Sequence, residues 1–220
     1  MTSRTPNFDR VARPYQVLEY LTLGRSLERT RLYFFPRLLP ARNALVFGDG
    51  DGRFLSQLLA ANPTLRATAI DTSAAMLSIL RARCAPYADR LRTVNTDALT
   101  FTRDTAGRYD LVVSHFFLDC LTQEQMEQLI QRTAPALSPK AIWLISDFQI
   151  PAGVLHLPAR LCVNGLYLAF RILTGLRVTR LPNHRARLTG ADFTRIVRRE
   201  FLGGVLFTEL WQTDQQSDTV

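Results

Sequence analysis

The sequence predicts a three-layer α/β fold in which a doubly wound, mostly parallel sheet ends in an antiparallel β-hairpin. First, short apolar strands alternate with helical stretches from residue 43 to residue 148. Second, these strands are unbroken apolar runs, such as Leu111-Val112-Val113, which is typical of strands covered on both faces. Third, Gly203-Gly204 separates two strand-like runs near the end, which indicates a hairpin.

The order of the elements follows from this alternation. Strands are predicted at residues 44–47, 65–70, 91–95, 109–114 and 141–146, and helices at 54–61, 73–84 and 123–137. Prolines at 63 and 139 follow two of these helices, and a proline stops a helix by removing an amide donor. A last helix within 183–193 and strands at 194–201 and 205–211 complete the core. An N-terminal helix is expected over 14–39, interrupted at Gly24 and Pro36.

Five segments are expected on this basis. Residues 1–42 form a helical cap, 43–150 the core, 151–182 a lid or insertion, 183–211 the terminal helix and hairpin that complete the sheet, and 212–220 a tail. The stretch 151–176 breaks the strand–helix rhythm and contains an amphipathic helix. It is interpreted either as a core-packing helix or as a lid over an apolar acceptor. Such a lid could also rest on a membrane surface.

Composition is that of an ordinary globular chain. The 220 residues are 47% hydrophobic and 21% charged, and no apolar stretch is long enough to span a bilayer. The three cysteines lie far apart without a CxxC pair, so neither a disulfide framework nor a zinc site is expected, and the cytoplasm is the predicted location. No metal is predicted, because three scattered histidines do not form a site.

The net charge of +8 comes from the two segments that flank the core. Residues 1–42 hold eight arginines against three acids, and residues 151–200 hold nine against two, whereas residues 43–150 are close to neutral. These arginines either solvate the surface or face an anionic partner. The candidate partners are an acidic small molecule, an anionic membrane surface and nucleic acid.

The most informative segment is ALVFGDGDGRFLSQLL, residues 44–59. A buried strand runs into Gly48, Gly50 and Gly52, and a helix follows, so a ligand can approach the backbone and the positive helix N-terminus. The spacing is GxGxG and not the GxGxxG of dinucleotide sites. The loop also carries Asp49 and Asp51, which would repel a pyrophosphate but tolerate a ligand with a positive centre.

Two further acids follow later strands. Asp71 ends the second strand, where a carboxylate can accept both hydroxyl protons of a ribose, and Thr72 follows it. Asp97 and Ala98 lie just beyond the third strand, where they can contact a base. The loop and these acids together describe an adenosine-like ligand without phosphates. By themselves, Asp71 also suits a helix cap and Asp97 a turn.

This pattern resembles the class I S-adenosylmethionine (SAM)-dependent methyltransferases, which have a Rossmann-like fold. The resemblance covers residues 43–148 and, with GADFTRIVRREFLGGVLFTELWQ, extends to about 211. The layout is most similar to the small-molecule branch of ubiquinone and menaquinone biosynthesis. The resemblance implies SAM as cofactor, S-adenosyl-L-homocysteine (SAH) as its product, and methyl transfer to oxygen or carbon of a small, apolar or acidic acceptor. Val46 departs from the pattern, because the family has an acid there that contacts the cofactor's amino group; Asp49 or Asp51 is the candidate replacement.

The resemblance also places the segment after the fourth strand, SHFFLDCL, near the transferred methyl group. His115 is the candidate general base, because its ordinary pKa is near neutral, although it could instead hydrogen-bond the cofactor. Ser114 is a candidate cofactor contact, and Tyr15 of the N-terminal helix is expected to close the pocket from the other side.

Two other functions stay open from the sequence. An RNA or other nucleic-acid methyltransferase fits the basic flanks, but no [ND]PP[YF] motif follows the fourth strand. A non-catalytic binding module that kept the fold would explain Val46. A nicotinamide-dependent oxidoreductase ranks below both because of the loop spacing.

Overall fold

The computed structural model describes residues 25–101, 108–174, 178 and 181–214. Its strands form one sheet in the order β3-β2-β1-β4-β5-β7-β6. The strands are β1 (Asn43–Phe47), β2 (Arg66–Asp71), β3 (Leu91–Asn95), β4 (Tyr109–His115), β5 (Leu137–Phe148), β6 (Phe193–Phe201) and β7 (Leu206–Thr213). The helices are α1 (Ser26–Leu32), α2 (Arg53–Ala61), α3 (Ala74–Arg83), α4 (Gln123–Thr133), α5 (His156–Thr174) and α6 (His184–Thr189).

The first five strands are parallel to one another, as their unbroken apolar runs predict. β1 is central, pairing with β2 on one side and β4 on the other. Ala44, Leu45, Val46 and Phe47 are all buried, because each face of β1 meets an apolar layer. Strand order reverses at β1, so the carboxyl ends of β1 and β4 flank a crevice suited to a ligand.

The last two strands are antiparallel and confirm the expected hairpin. β7 pairs with both β5 and β6, and the turn between β6 and β7 places Gly203 and Gly204 at positive φ. The α/β class, the mostly parallel sheet and the closing hairpin are therefore as predicted.

Several element boundaries were wrong. β5 runs from residue 137 to 148 and not from 141 to 146, because it is hydrogen-bonded on both sides, to β4 and to β7. The terminal helix ends at Thr189, since Phe193 already belongs to β6. β7 continues to Thr213, so two residues assigned to the tail belong to the sheet.

The structure describes only part of the N-terminal helix that the sequence predicts over residues 14–39. Helix α1 covers residues 26–32, and Pro36 lies in a separate 3-10 turn, Phe35–Leu38, which agrees with a break at that proline. Residues 14–24, including Tyr15 and Gly24, lie outside the described residues.

Helix α5 occupies the segment expected as an insertion. Ala159 and Val163 are buried on its inner side. No helix within the described part of the chain is long and apolar enough to cross a membrane.

Candidate functional site

The glycine loop between β1 and α2 adopts a conformation that requires its glycines. Gly48, Gly50 and Gly52 have φ of 63, 61 and 76°, in the region that other residues rarely enter. A Cβ on Gly48 would lie 2.5 Å from Phe117 Cδ2, and one on Gly52 would lie 2.8 Å from Leu80 Cγ. The loop therefore turns tightly and leaves its backbone open to a ligand.

The two acids of this loop have different surroundings. Asp51 is buried and forms ion pairs with Arg53 (3.0 Å) and Arg83 (3.1 Å), so it ties the loop to α3. Asp49 is half-buried, and its Oδ2 accepts a hydrogen bond from the Leu55 amide in the first turn of α2 (3.1 Å). Burial raises the pKa of Asp49 to about 7, against the lowering effects of that hydrogen bond and of Arg31. Asp49 can thus exchange a proton near neutral pH.

The loop borders a cleft with about 230 Å³ of empty volume, which includes its open mouth. The cleft is lined by residues 48–51, Arg31, Arg53 and His115. Arg31 comes from α1, and its guanidinium lies 5.0 Å from the ring centroid of Phe116. The sequence analysis did not single out Arg31, because nothing local distinguishes it from the other arginines of its segment.

His115 lies at the end of β4, on the face opposite to Ser114. It is 3% exposed and meets Phe54 edge-on, with ring centroids 4.5 Å apart. Neither ring nitrogen has a hydrogen-bond partner among the described residues. Burial, and then the charge of Arg31, holds the pKa of His115 well below its usual range. The ring is therefore neutral, and this environment favours a hydrogen bond to a ligand over the predicted role as a general base.

Ser114 does not turn its side chain to the cleft. Its Oγ is fully buried and accepts a hydrogen bond from Trp143 Nε1 (3.0 Å). Because successive side chains of a strand point to opposite faces, Ser114 and His115 cannot both face the cleft. The predicted cofactor contact is thus not available to the Ser114 hydroxyl.

Asp71 lies at the carboxyl end of β2, half-buried beside the cleft edge. Its Oδ1 accepts a hydrogen bond from the Ser73 amide (2.8 Å). Ser73 is the N-cap of α3, since its Oγ accepts from the Met76 amide (3.1 Å), and Thr72 is exposed. Asn95, which the sequence analysis missed, fixes the same turn by donating to the carbonyls of Asp71 and Thr72 (3.0 Å each).

Asp97 and Ala98 follow β3 at the same edge of the sheet. Asp97 Oδ1 accepts a hydrogen bond from the Leu99 amide (2.9 Å). This bond is typical of a turn residue, which is the alternative role that the sequence left open for Asp97. The Asp97 side chain is half-buried and Ala98 is buried. One carboxylate oxygen holds the turn, and the position beyond β3 suits the base of a nucleoside.

A buried acid pair lies on the other side of β4. The Asp119 amide donates to Asp147 Oδ2 (3.0 Å), and the hydroxyl of Tyr167, from α5, donates to the Asp119 carbonyl (2.9 Å). Burial raises the pKa of both carboxyls, and for Asp147 the Asp119 charge adds to the effect. Both carboxyls are therefore harder to ionise than an exposed aspartate. The sequence does not indicate this pair, because its members are 28 residues apart.

No metal-binding arrangement of three or more His, Cys, Asp or Glu side chains occurs in the described ranges. The polar groups that gather at the carboxyl edge are instead a glycine loop, an acid after each of β2 and β3, and a buried histidine. This set of donors and acceptors suits a nucleoside with a charged amino-acid arm, at the edge where doubly wound sheets bind their ligands.

Comparison with known proteins finds similarity to methyltransferases. Residues 45–142 match the family model described as a methyltransferase domain. Most of the segment from β1 to β5 therefore resembles a methyltransferase domain, which favours an enzyme over a non-catalytic module. No curated protein matches the sequence.

Solved structures share the fold at low identity. The N-methyltransferase NodS from Bradyrhizobium japonicum WM9, in complex with SAH, is 18% identical with a TM-score of 0.62, covering 91% of this chain and 98% of that chain. A protein described as a putative O-methyltransferase from Nostoc punctiforme PCC 73102 is 17% identical with a TM-score of 0.71, covering 92% and 59%. The methyltransferase SibL, in its apo form, is 19% identical with a TM-score of 0.68, covering 98% and 64%. This chain thus spans less than two thirds of the length of the last two.

Proposed function

We propose that this enzyme transfers the methyl group of SAM to an oxygen or carbon atom of a small, apolar or acidic acceptor. The observation that carries the proposal is the cleft beside the glycine loop, which is lined by a buried histidine without partners among the described residues and by a carboxylate whose pKa is raised to about 7. A ligand that brings both positive charge and hydrogen-bond donors would satisfy both groups.

The residues of the cleft fit the amino-acid arm of the cofactor. We assign Asp49 to the ammonium group in place of the acid that Val46 lacks, because Val46 is fully buried in the apolar layer. His115 offers a neutral ring nitrogen to the same arm. Arg31 is the cation of α1 that lines the cleft and suits the carboxylate.

The adenosyl end is assigned to the next two strands. We assign Asp71 to the ribose hydroxyls. Gly48 and Gly50 leave room for the ligand along the loop, and Gly52 directly precedes α2. Asp97 and Ala98 take the base. Thr72 is exposed after Asp71, so its contribution is limited to its backbone.

The bound cofactor supplies a methyl group activated by sulfonium, so the protein mainly aligns the acceptor and excludes water. Phe116 and Phe117 follow β4 at the edge where the acceptor must approach. Phe117 stacks on Phe47 (5.7 Å between centroids), and Phe116 contacts Phe148 (5.1 Å). These rings give the acceptor side an apolar wall.

Titration calorimetry with SAM and SAH tests the cofactor assignment. Asp71→Asn should weaken binding at least tenfold, because a carboxylate accepting two hydroxyl protons is replaced by a weaker acceptor. Asp89→Asn, an exposed acid near the opposite end of β3, is the matched control and should leave binding unchanged. Absence of SAM and SAH binding at millimolar concentration would overturn the proposal.

Tritium transfer from methyl-labelled SAM tests the acceptor class. The purified chain is incubated with the small-molecule and RNA fractions of a cell extract, and the label is counted in each. We expect label in the small-molecule fraction. Label confined to RNA, with loss of transfer at high salt, would show the nucleic-acid alternative instead.

A further inference from the structure

Besides the cleft, the carboxyl edge of the sheet carries an exposed apolar surface, here called the rim. The rim consists of exposed apolar side chains in residues 154–172, together with Tyr33 and Leu202. α5 follows β5 at this edge, and the β6–β7 turn returns to it, because Leu206 pairs with Phe148. Tyr33, which follows α1, packs its ring against Phe201 with centroids 5.5 Å apart. Three segments that are distant in sequence therefore meet around the edge that holds the site.

The largest part of this rim is the outer face of α5. Leu157, Leu161, Leu168 and Ile172 are 64, 65, 58 and 75% exposed. Their spacings of four, seven and four residues place them on one helical stripe. The buried Ala159 and Val163 lie on the inner side, so α5 is apolar on two faces, of which the core covers one.

The stripe continues onto neighbouring segments. Val154, just before α5, is 96% exposed, and the Leu155 side chain lies directly against Gly203 of the β6–β7 turn. Leu202 in that turn and Tyr33 beside it are each nearly half exposed. A large contiguous apolar surface of this kind marks an interaction site on a protein.

Exposed arginines border the rim, and Glu200, a half-exposed acid beside the β6–β7 turn, pairs with Arg198. Arg160 and Arg171 are exposed at the border of the α5 stripe, and the Arg199 guanidinium lies 5.6 Å from the ring centroid of Tyr33. Residues 148–191 contain six arginines and no acid. Two copies of this chain meeting through the α5 stripe would bring Arg160 and Arg171 of each copy together, and Glu200 is already paired with Arg198, so a second copy is disfavoured as the occupant of the rim.

We propose that this rim docks on an anionic phospholipid surface, with α5 in the plane of the interface, and that the acceptor is an apolar molecule taken from that bilayer. The substrate part rests on the proposed methyltransferase function. Leucines on one helical face bordered by arginines are the features by which an interfacial helix binds. Tyr167 links the same helix to Asp119 behind the acceptor wall, so the docked surface and the site share an element.

Flotation of the full chain with vesicles tests the proposal. One set contains phosphatidylcholine alone, and the other contains phosphatidylcholine with phosphatidylglycerol. We expect strong retention on the anionic vesicles that weakens with salt, and little on the neutral ones. Equal retention on both sets, or none on either, would overturn it.

Matched variants distinguish vesicle binding through the rim from nonspecific adsorption of the protein. Leu161→Gln and Leu168→Gln should each weaken partitioning roughly tenfold, and Arg160→Gln or Arg171→Gln roughly fivefold. Leu39→Gln and Arg66→Gln alter an exposed leucine and arginine at the opposite edge of the sheet and should have no effect. Equal losses from the control variants would contradict the assignment. So would self-association without lipid that Leu161→Gln abolishes, which would make a second copy the occupant.

The two proposals fail independently. SAM binding without vesicle retention overturns the membrane surface alone, and vesicle retention without SAM binding overturns the proposed function alone. Labelled methyl groups should appear in the organic phase when vesicles carry a lipid extract, and Leu161→Gln should reduce that transfer while leaving SAM affinity unchanged. Label that stays in the aqueous phase would exclude a bilayer acceptor.

Discussion

The amide of Asp119 donates to Asp147 Oδ2 at 3.0 Å, which joins the segment after β4 to the end of β5. Both side chains are buried, and Asp147 Oδ1 is already held by the Phe148 amide (2.9 Å). Helix α5 joins this arrangement through Tyr167. These hydrogen bonds tie the segment after β4, the end of β5 and α5 to one another.

Asp147→Asn should remove a pH-dependent loss of stability. A raised pKa means that the folded state holds a proton that the unfolded state releases, so unfolding free energy falls as pH rises from about 4 towards the raised pKa. The asparagine keeps a donor without titrating. Relative to the variant, wild type should lose about 1.4 kcal/mol per pH unit within that window. Urea denaturation across pH measures this, with exposed Asp89→Asn as control. Parallel pH curves for Asp147→Asn and wild type would contradict the raised pKa of Asp147.

SAM affinity should depend on pH through Asp49. Because its pKa is raised to about 7, the carboxyl is largely protonated below neutrality and must release its proton to hold an ammonium group. Affinity should fall up to tenfold per pH unit below 7 and level off above it. Calorimetry from pH 5 to 9 checks this, and Asp49→Asn should flatten the profile. Adenosine, which lacks the amino-acid arm, should bind independently of pH; the same dependence for adenosine would place the titrating group elsewhere.

Glu209→Gln should destabilise the hairpin strongly. Glu209 is fully buried in β7 and contacts His184 (3.0 Å), Arg195 (3.1 Å) and Arg198. Burial acts to raise the pKa of Glu209, but the hydrogen bond and charge of His184, with Arg198, hold it at about 2. Removing the charge leaves cations unpaired and costs about 3 kcal/mol. Glu200→Gln, a half-exposed partner of Arg198 on β6, should cost less than about 1 kcal/mol.

The lowered pKa of Glu209 also determines how the stability of the protein changes in acid. A depressed pKa stabilises the folded state above the unfolded value of about 4.3, and that stability is lost as pH falls towards 2. Wild type should therefore lose stability below pH 4 more steeply than Glu209→Gln, as measured by urea midpoints. An identical acid limb in both proteins would show that Glu209 is not the responsible group.

Gly52→Ala should impair both folding and cofactor binding, because its φ of 76° and the contact with Leu80 leave no room for a Cβ. We expect a loss of about 2 kcal/mol and at least tenfold weaker SAM binding. Gly165→Ala, in α5 with nothing within 4 Å of the added Cβ, should instead stabilise by roughly 0.5–1 kcal/mol. Thermal melts and calorimetry compare the two. Equal effects would mean that the glycine loop is not conformationally constrained.

The sequence by itself determined the fold, because its signals are local. Unbroken apolar runs marked the parallel strands, Gly203-Gly204 marked the hairpin, and strand, GxGxG and helix followed one another within residues 43–61. The acids at 71 and 97 could be placed at one edge because parallel strands bring their carboxyl ends together.

The tertiary structure alone decided which of these groups face the cleft. In the folded protein Ser114 bonds to Trp143, whereas His115 and Arg31 line the cleft. Asp51 is paired with two arginines, whereas Asp49 has a pKa near neutral. The tertiary structure also joined Asp119 to Asp147 and left the α5 stripe exposed. Each outcome depends on packing between residues far apart in the chain. Burial and the charges of such neighbours set pKa values and orientations, and no local pattern of residues encodes them.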